Sequence, residues 1–262
     1  MSVYERENPE FLRKSVESVF AQSVPADDFV LVIDGPIGSE LEEEIASLKD
    51  RFNINCVPLS ENLGLGNALN AGLSHCKNEI VARMDSDDIC FPDRMQQQLE
   101  LMKKTGADIV SSVVAEFADD PDEITGCRLV PETHEEIMRF VRKRSPFNHP
   151  AVVYKKSVIL AAGGYMDYAF FEDYELFARA LSLGAKGANV QQPLVFMRTG
   201  SGMYTRRGGR EYVKKMSRFY KKLRSLGLCS LKEVILCQIP RTVIALLPSR
   251  ARRFVYQKFL RG

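Results

Sequence analysis

Phe29-Val30-Leu31-Val32-Ile33-Asp34-Gly35-Pro36 is a five-residue apolar run that stops at a turn. A run this short, rich in β-branched side chains and closed by Asp-Gly-Pro, reads as a buried strand. Working outward, residues 40–52 place Leu41, Ile45 and Leu48 at helical spacing, and residues 53–59 give a second strand. Residues 66–76 form a short helix with Leu69 and Leu73 on one face, and residues 79–84 a third strand. A helix opened by Pro92 runs to residue 104, and residues 108–117 make a fourth strand. Strands alternating with helices of this length imply βαβ units and a mostly parallel sheet, hence an α/β fold.

Beyond residue 117 the alternation loosens. Residues 133–143 read as a helix, with Thr133 as N-cap and Glu136 completing a capping box. Residues 151–154 suggest a strand, residues 173–183 a helix ended by Gly184, and the segment from Arg210 onward two or three helices. No internal repeat or low-complexity tract interrupts the chain.

With 262 residues, 45% of them hydrophobic, the protein can bury a large core, and one α/β domain with appendages fits the length. The net charge of +2 conceals a strong asymmetry. Residues 205–262 carry sixteen Lys/Arg against two acids, and residues 1–204 carry 20 against 32. An acidic body with a basic tail points to an anionic partner for the tail. The six cysteines have no CxxC spacing, which suits reduced thiols in the cytoplasm. Met1 leads into polar residues without an apolar signal region, and no stretch reaches the ~20 apolar residues that span a bilayer.

Three segments carry chemistry. In Met84-Asp85-Ser86-Asp87-Asp88, three carboxylates cluster where an apolar strand ends, the place at which open α/β sheets bind ligands. Their mutual repulsion calls for a cation, and Mg²⁺ commonly takes one or two carboxylates plus phosphate oxygens. A solvated acidic turn is the plainer alternative. An EF-hand is excluded by Cys90 where glycine is required, and a phosphatase Asp-x-Asp-x-Thr nucleophile by Ile89. Phe171-Glu172-Asp173-Tyr174 opens a helix, so its acids suit either dipole capping or a general base for an attacking hydroxyl. Asn62-Leu63-Gly64-Leu65-Gly66-Asn67 lies between a strand and a helix, where backbone can approach an anion closely. It is not a dinucleotide fingerprint, because Leu69 stands where a third glycine belongs.

Together these segments resemble the family 2 glycosyltransferases of the GT-A fold, over about residues 1–205. The resemblance rests on Ser2-Val3-Tyr4, Ser18-Val19-Phe20-Ala21-Gln22-Ser23, Val32-Ile33-Asp34-Gly35, Asn62-x-Gly64, Asp85-Ser86-Asp87-Asp88, and Glu172-Asp173-Tyr174 with Arg179. More narrowly, Ala82-Arg83-Met84-Asp85, Pro146-Phe147-Asn148-His149 and residues 198–207 are similar to the amylovoran-type exopolysaccharide transferases. What the resemblance implies is a Rossmann-like, mostly parallel sheet and a nucleotide-diphosphate sugar donor, a UDP-sugar. Tyr4 and Asp34 then hold the base, with Asn62, Gly64, Asn67, Asp85, Ser86 and Arg198 completing the nucleotide-sugar site. Asp87 and Asp85 hold Mn²⁺ or Mg²⁺. Asp173 is the catalytic base, Glu172 contacts a sugar, and the anomeric centre is inverted. His149, Arg206 and Arg207 are further candidates, His149 at the metal or acceptor and the arginines as a lid on the diphosphate.

The family's first strand normally has about five apolar residues before Ser-Val-Tyr and lies centrally in the sheet. Here it is short, so the first strand is expected to be truncated, short of pairing partners and a source of low stability. Residues 206–262 are read as a basic helical tail. Apolar clusters at residues 234–236 and 243–247 among arginines suit amphipathic helices on the anionic cytoplasmic face of the inner membrane, where a lipid-linked glycan acceptor would be met; packing of these helices against the catalytic domain is the alternative. Nucleic acid is not expected, since no stacking pattern or reader motif accompanies the charge. Two rival functions remain: a sugar-nucleotide nucleotidyltransferase, which would want a Gly-rich basic signature after the first strand, and a non-catalytic sugar-nucleotide-binding protein.

Overall fold

The computed structural model describes residues 1–199 and 208–248. In chain order they form β1 (Ser2–Val3), α1 (Pro9–Phe20), β2 (Phe29–Ile33), α2 (Ser39–Arg51), β3 (Ile54–Pro58) and α3 (Leu65–His75). Next come β4 (Ile80–Ala82), β5 (Ile89–Cys90), α4 (Arg94–Thr105), β6 (Ile109–Phe117), β7 (Ile124–Arg128) and α5 (His134–Phe140). A 3₁₀ turn (His149–Ala151) leads to β8 (Val153–Lys155), α6 (Lys156–Ala161), α7 (Glu172–Ser182), β9 (Gly187–Arg198), α8 (Gly209–Ser225) and α9 (Leu231–Leu246).

The strands make two sheets. β1, β2 and β3 are parallel, with Val3 opposite Ile33 and Val32 opposite Val57. The second sheet runs β4-β8-β6-β9-β5, with β7 also on β6. Within it the long β6–β9 pair is parallel, but β4, β5, β7 and β8 are antiparallel to their partners. The expected mostly parallel sheet therefore holds for the first half and the β6–β9 centre, and the remainder is mixed. Short strands such as β5 give too few alternating residues to announce their direction. β1, expected at the centre, pairs only with β2 and forms an edge, because two residues reach one neighbour. A cavity of about 450 Å³ separates β2 from β4 beside Met1, lined by Val30, Leu73, Val81 and Tyr154.

Local sequence accounts for the helices. Asn8 caps α1 by accepting from the amides of Glu10 and Phe11, and Pro9 follows at the first helical position. Thr133 and Glu136 form the expected reciprocal capping box on α5. Gly106, at φ 68°, ends α4 in the left-handed region that an L-residue avoids. β6 is buried along its whole length and so reads as apolar and small residues broken only by Glu116, which pairs with Arg128. β9, its parallel partner, is interrupted by Gln191, Gln192 and Pro193, and the register shifts opposite Val113, where proline's missing donor costs no ladder bond.

Within residues 208–248 the basic segment packs into the domain. α8 inserts Met216, Phe219, Tyr220 and Leu223 into the largest core, against Tyr174, Phe177 and Leu181 of α7. The boundary expected at residues 205/206 is thus crossed by shared packing: the charge count registers the exposed face of α8, and its apolar stripe makes it part of the domain. α9 continues through Pro240 rather than stopping there.

Candidate active site

Asp34 sits at the carboxyl end of β2, 4% exposed. Its Oδ1 accepts from the Leu63 amide at 2.7 Å and its Oδ2 from the Gly64 amide at 3.0 Å. Asn62 Nδ2 donates to the Asp34 carbonyl at 3.2 Å. Gly35 (φ 86°) lets this loop close: a Cβ there would lie 2.5 Å from the Asn62 nitrogen. Asn67 Nδ2 donates to the Leu63 carbonyl, tying the loop to α3. Asp34, Asn62, Gly64 and Asn67 thus form one pinned unit, with Tyr4 39% exposed at the end of β1.

The acidic segment follows β4. Arg83 is buried and donates through both terminal nitrogens to the Asp85 carboxylate, 2.6 Å for the Nη1–Oδ2 bond. A bidentate pair of this kind fixes Asp85 in orientation as well as charge. The backbone is held from behind: Arg94 Nη2 donates to the Arg83 carbonyl at 2.8 Å and Ser15 Oγ to the Asp85 carbonyl at 2.9 Å. Asp88 is 1% exposed; its Oδ1 accepts from the Arg198 amide at 2.7 Å, while its Oδ2 has no partner. Burial, and then the Asp85 charge, push the carboxyls of Asp87 and Asp88 upward. Glu7, hydrogen-bonded to Ser86, is pushed up to about 7 chiefly by burial.

Crowded, desolvated acids of this kind would accept a divalent cation. Asp85 is already committed to Arg83, which leaves Asp87 as the freer ligand. Among the described residues no three His, Cys, Asp or Glu converge as a metal cluster. The donor set fits a cation held by one or two carboxylates with phosphate oxygens completing the shell, as Mg²⁺ is usually held, and not a dedicated protein cage.

Arg198 is built in differently from expectation. Its guanidinium lies 3.7 Å from the Phe11 ring centre and 4.5 Å from that of Phe117. It donates to the carbonyls of Ala118 (2.9 Å) and Asp87 (3.3 Å). These contacts make Arg198 a brace behind the acidic segment, because β9 pairs with β5 and brings it there. Arg206 and Arg207 lie outside the described residues.

Glu172 and Asp173 open α7. Burial, and then Asp173, push the Glu172 carboxyl up, and its Oε2 is buried without a partner. The loop before α7 is clamped by Arg179, which pairs with Glu175 (2.6 Å) and donates to the Gly164 carbonyl (2.7 Å) and to the Ala162 carbonyl. Tyr165 ties this loop to α3 and to the 3₁₀ turn: its amide and carbonyl bond to the Asn70 side chain, and its hydroxyl lies 2.9 Å from His149 Nε2. His149 is held neutral by burial and by the Arg83 charge, its pKa well below the usual range. It is a half-buried hydrogen-bond partner for Tyr165 in this structure.

Arg83, Arg94, Glu7, Tyr165 and Glu175 were given no role by sequence reasoning. Arg83 had a signal, as a cation two residues before Asp85 at a strand end. Glu175 and Arg179, four apart on one helix, had another. Arg94 and Tyr165 act through contacts distant in sequence and left none.

Known proteins place this arrangement. Residues 1–160 match the model of glycosyl transferase family 2. The chain is 39% identical over 208 residues (79% of it, 77% of the relative) to the Erwinia amylovora amylovoran biosynthesis glycosyltransferase AmsE. It is 37% identical over 262 residues (100% of it, 95% of the relative) to an Escherichia coli UDP-Gal:alpha-D-GlcNAc-diphosphoundecaprenol beta-1,3-galactosyltransferase. Among solved structures, S. aureus TarS 1-349 with UDP-GlcNAc superimposes with a TM-score of 0.70 at 13% identity, covering 98% of this chain and 75% of that one. A Pyrobaculum calidifontis mannosyltransferase with GDP-Man and Mn²⁺ gives 0.62 at 12% identity, covering 100% and 87%. The chain belongs to glycosyl transferase family 2 and is a glycosyltransferase of the GT-A fold.

Proposed function

We propose that the protein transfers a sugar from a UDP-sugar to a diphosphate-linked glycan on a lipid carrier, with inversion, in the synthesis of a bacterial surface polysaccharide. The observation that carries this reading is the shared electrostatics of buried Arg83. It pairs with Asp85 of the acidic segment and its charge also reaches Glu172 of the α7 pair. We read the acidic segment with the Asp34 loop as the donor pole, and Glu172 with Asp173 as the base pole, of one cleft; the Asn70–Tyr165 bonds, which tie α3 to the loop before α7, support that reading. The two named relatives support the polysaccharide setting, and the Escherichia coli enzyme's acceptor supports a diphosphate-linked one.

In this reading Tyr4 and Asp34 take the uracil, and the loop of Asn62, Gly64 and Asn67, with Ser86, lines the nucleotide-sugar. Asp87, with Asp85, would hold Mn²⁺ or Mg²⁺, which supplies charge neutralisation to the departing diphosphate. Asp173 accepts the proton of the attacking acceptor hydroxyl as its oxygen bonds to the anomeric carbon. The bond from that carbon to the nucleoside diphosphate breaks on the opposite face, and this single displacement inverts the centre. Titrating UDP calorimetrically with Mn²⁺ and then with EDTA tests the donor site. Micromolar, metal-dependent binding is expected; silence of UDP, GDP and TDP in a folded sample would sink the assignment.

Membrane contact has its own support. Leu231, Ile235, Ile239, Val243 and Leu246 of α9 are exposed and spaced to lie on one face, next to the cations of α8. No described helix is long and apolar enough to cross a bilayer, so contact would be by lying on the surface. Co-sedimentation with anionic vesicles, weakened by Ile239→Glu and by salt, is the expected result.

A further inference from the structure

The loop of residues 163–171 ends at Phe170, whose φ of 74° is one that a bulky L-residue adopts only under constraint. The strained backbone does not bury the ring. Phe170 is 43% exposed, edge-on to Tyr212 at 5.8 Å, with Lys215 Nζ 5.0 Å from its ring centre. Two residues earlier, the Arg218 guanidinium lies 4.7 Å from the ring centre of Tyr168. Lys215 and Arg218 stand three apart on α8, so they share one face of it, and that face meets the loop. Two residues beyond Phe170 comes Glu172, with Oε2 buried and unpartnered. Met166, also exposed, closes the other end of the row.

Backbone strain, an exposed aromatic ring and two exposed cations form one surface on the loop that runs into Glu172 and Asp173, with Glu172 Oε2 buried behind it. We infer that this surface is the subsite for the sugar nearest the lipid together with its diphosphate. The Phe170 ring takes the apolar face of the sugar, as aromatic rings take C–H faces, and Glu172 accepts from a sugar hydroxyl once its side chain turns to expose Oε2. Lys215 and Arg218 then pair with the diphosphate oxygens, for which Arg offers a two-pronged fit. The inference rests on the proposed diphosphate-linked acceptor. A simpler role for the two cations, pinning α8 to the loop by cation–π contact, would appear in stability and not in acceptor choice.

The experiment measures binding of N-acetylglucosamine alkyl diphosphate, and of the uncharged alkyl glycoside of the same sugar, to the full chain loaded with UDP and Mn²⁺. The wild type is expected to bind the diphosphate form at least tenfold more tightly. The double variant Lys215→Ala/Arg218→Ala should erase that preference with UDP affinity unchanged and with only the small loss of Tm that two exposed cation–π contacts account for. Phe170→Gly, which relieves the backbone, should raise Tm and weaken both ligands about tenfold. A preference that survives the double variant, or a wild type that does not distinguish the two ligands, overturns the subsite. Failure of the donor reading shows separately, as loss of UDP binding in the wild type.

Discussion

The two poles of the cleft are finished to different degrees. Around Asp34 itself, both carboxylate oxygens are bonded to loop amides and Asn62 ties the same loop to the Asp34 carbonyl; the unmade carboxylate bond on this side is Asp88 Oδ2, behind the acidic segment. At the Glu172 pole a carboxylate oxygen is buried without a partner, Phe170 is strained, and large apolar side chains face solvent. A pole whose hydrogen bonds are already made can receive a ligand with little rearrangement, whereas one with unmade bonds is completed by its ligand. The difference suits a rigid donor moiety at the first pole and a varied acceptor at the second.

The largest effect that could break this contrast lies at the base. Asp173→Asn should lower transfer by 10²–10⁴-fold, the range for losing a general base, while calorimetric UDP affinity stays within about twofold. If UDP affinity falls with the rate, the poles are not separable and Asp173 belongs to donor binding. Next in size is the clamp of the second pole. Arg179 and Glu175 are 5% and 0% exposed and paired, so Arg179→Ala leaves a buried carboxylate unpartnered. Breaking one side of such a pair costs about 3–5 kcal/mol, read as the change in chemical-denaturation free energy. A loss below 1 kcal/mol would mean that the loop of residues 163–171 is held by something else. Smaller again, Asp34→Asn keeps shape but replaces one charged acceptor by a donor facing the Leu63 or Gly64 amide. A cost of about 1–3 kcal/mol for an amide left unsatisfied should appear as an about 5- to 150-fold weaker UDP affinity, with acceptor affinity unchanged.

The same contrast governs what could be read from sequence. The first pole is local: Phe29–Ile33 ends in Asp34-Gly35, Asn62-x-Gly64 sits between a strand and a helix, and the acids follow a strand directly. Strand periodicity and turn residues therefore place them without knowledge of tertiary contacts. Glu172 and Asp173 were legible for a similar reason, as acids at a helix start. The clamp around them was not, since Arg179 reaches Gly164 and Tyr165 reaches Asn70 and His149 only after folding. β9 escaped notice because Gln191, Gln192 and Pro193 break its apolar pattern, though β6 beside it accommodates the bulge. The tail's charge pointed outward, but the stripe of Met216, Phe219, Tyr220 and Leu223 makes α8 core. Basic residues on the solvent face of a packed helix and on a free amphipathic helix give the same count.

The smallest effect concerns the link between the poles. His149 touches Tyr165 at 2.9 Å, and burial with the Arg83 charge keeps its folded pKa well below 6.5. The unfolded chain therefore binds a proton at His149 more readily than the folded one. The stability this contributes is present above about pH 6.5, the unfolded value, and is lost as pH falls toward the folded value. His149→Gln keeps a hydrogen-bonding partner for the Tyr165 hydroxyl and removes the titration. Melting temperatures measured between pH 8 and pH 5 should fall less steeply in the variant than in the wild type, by a few degrees over the interval. Superimposable curves would mean that His149 is protonated in the folded protein at pH 5. The Tyr165 bridge would then join the two poles through a charge, and the contrast between a finished and an unfinished pole would have to include it.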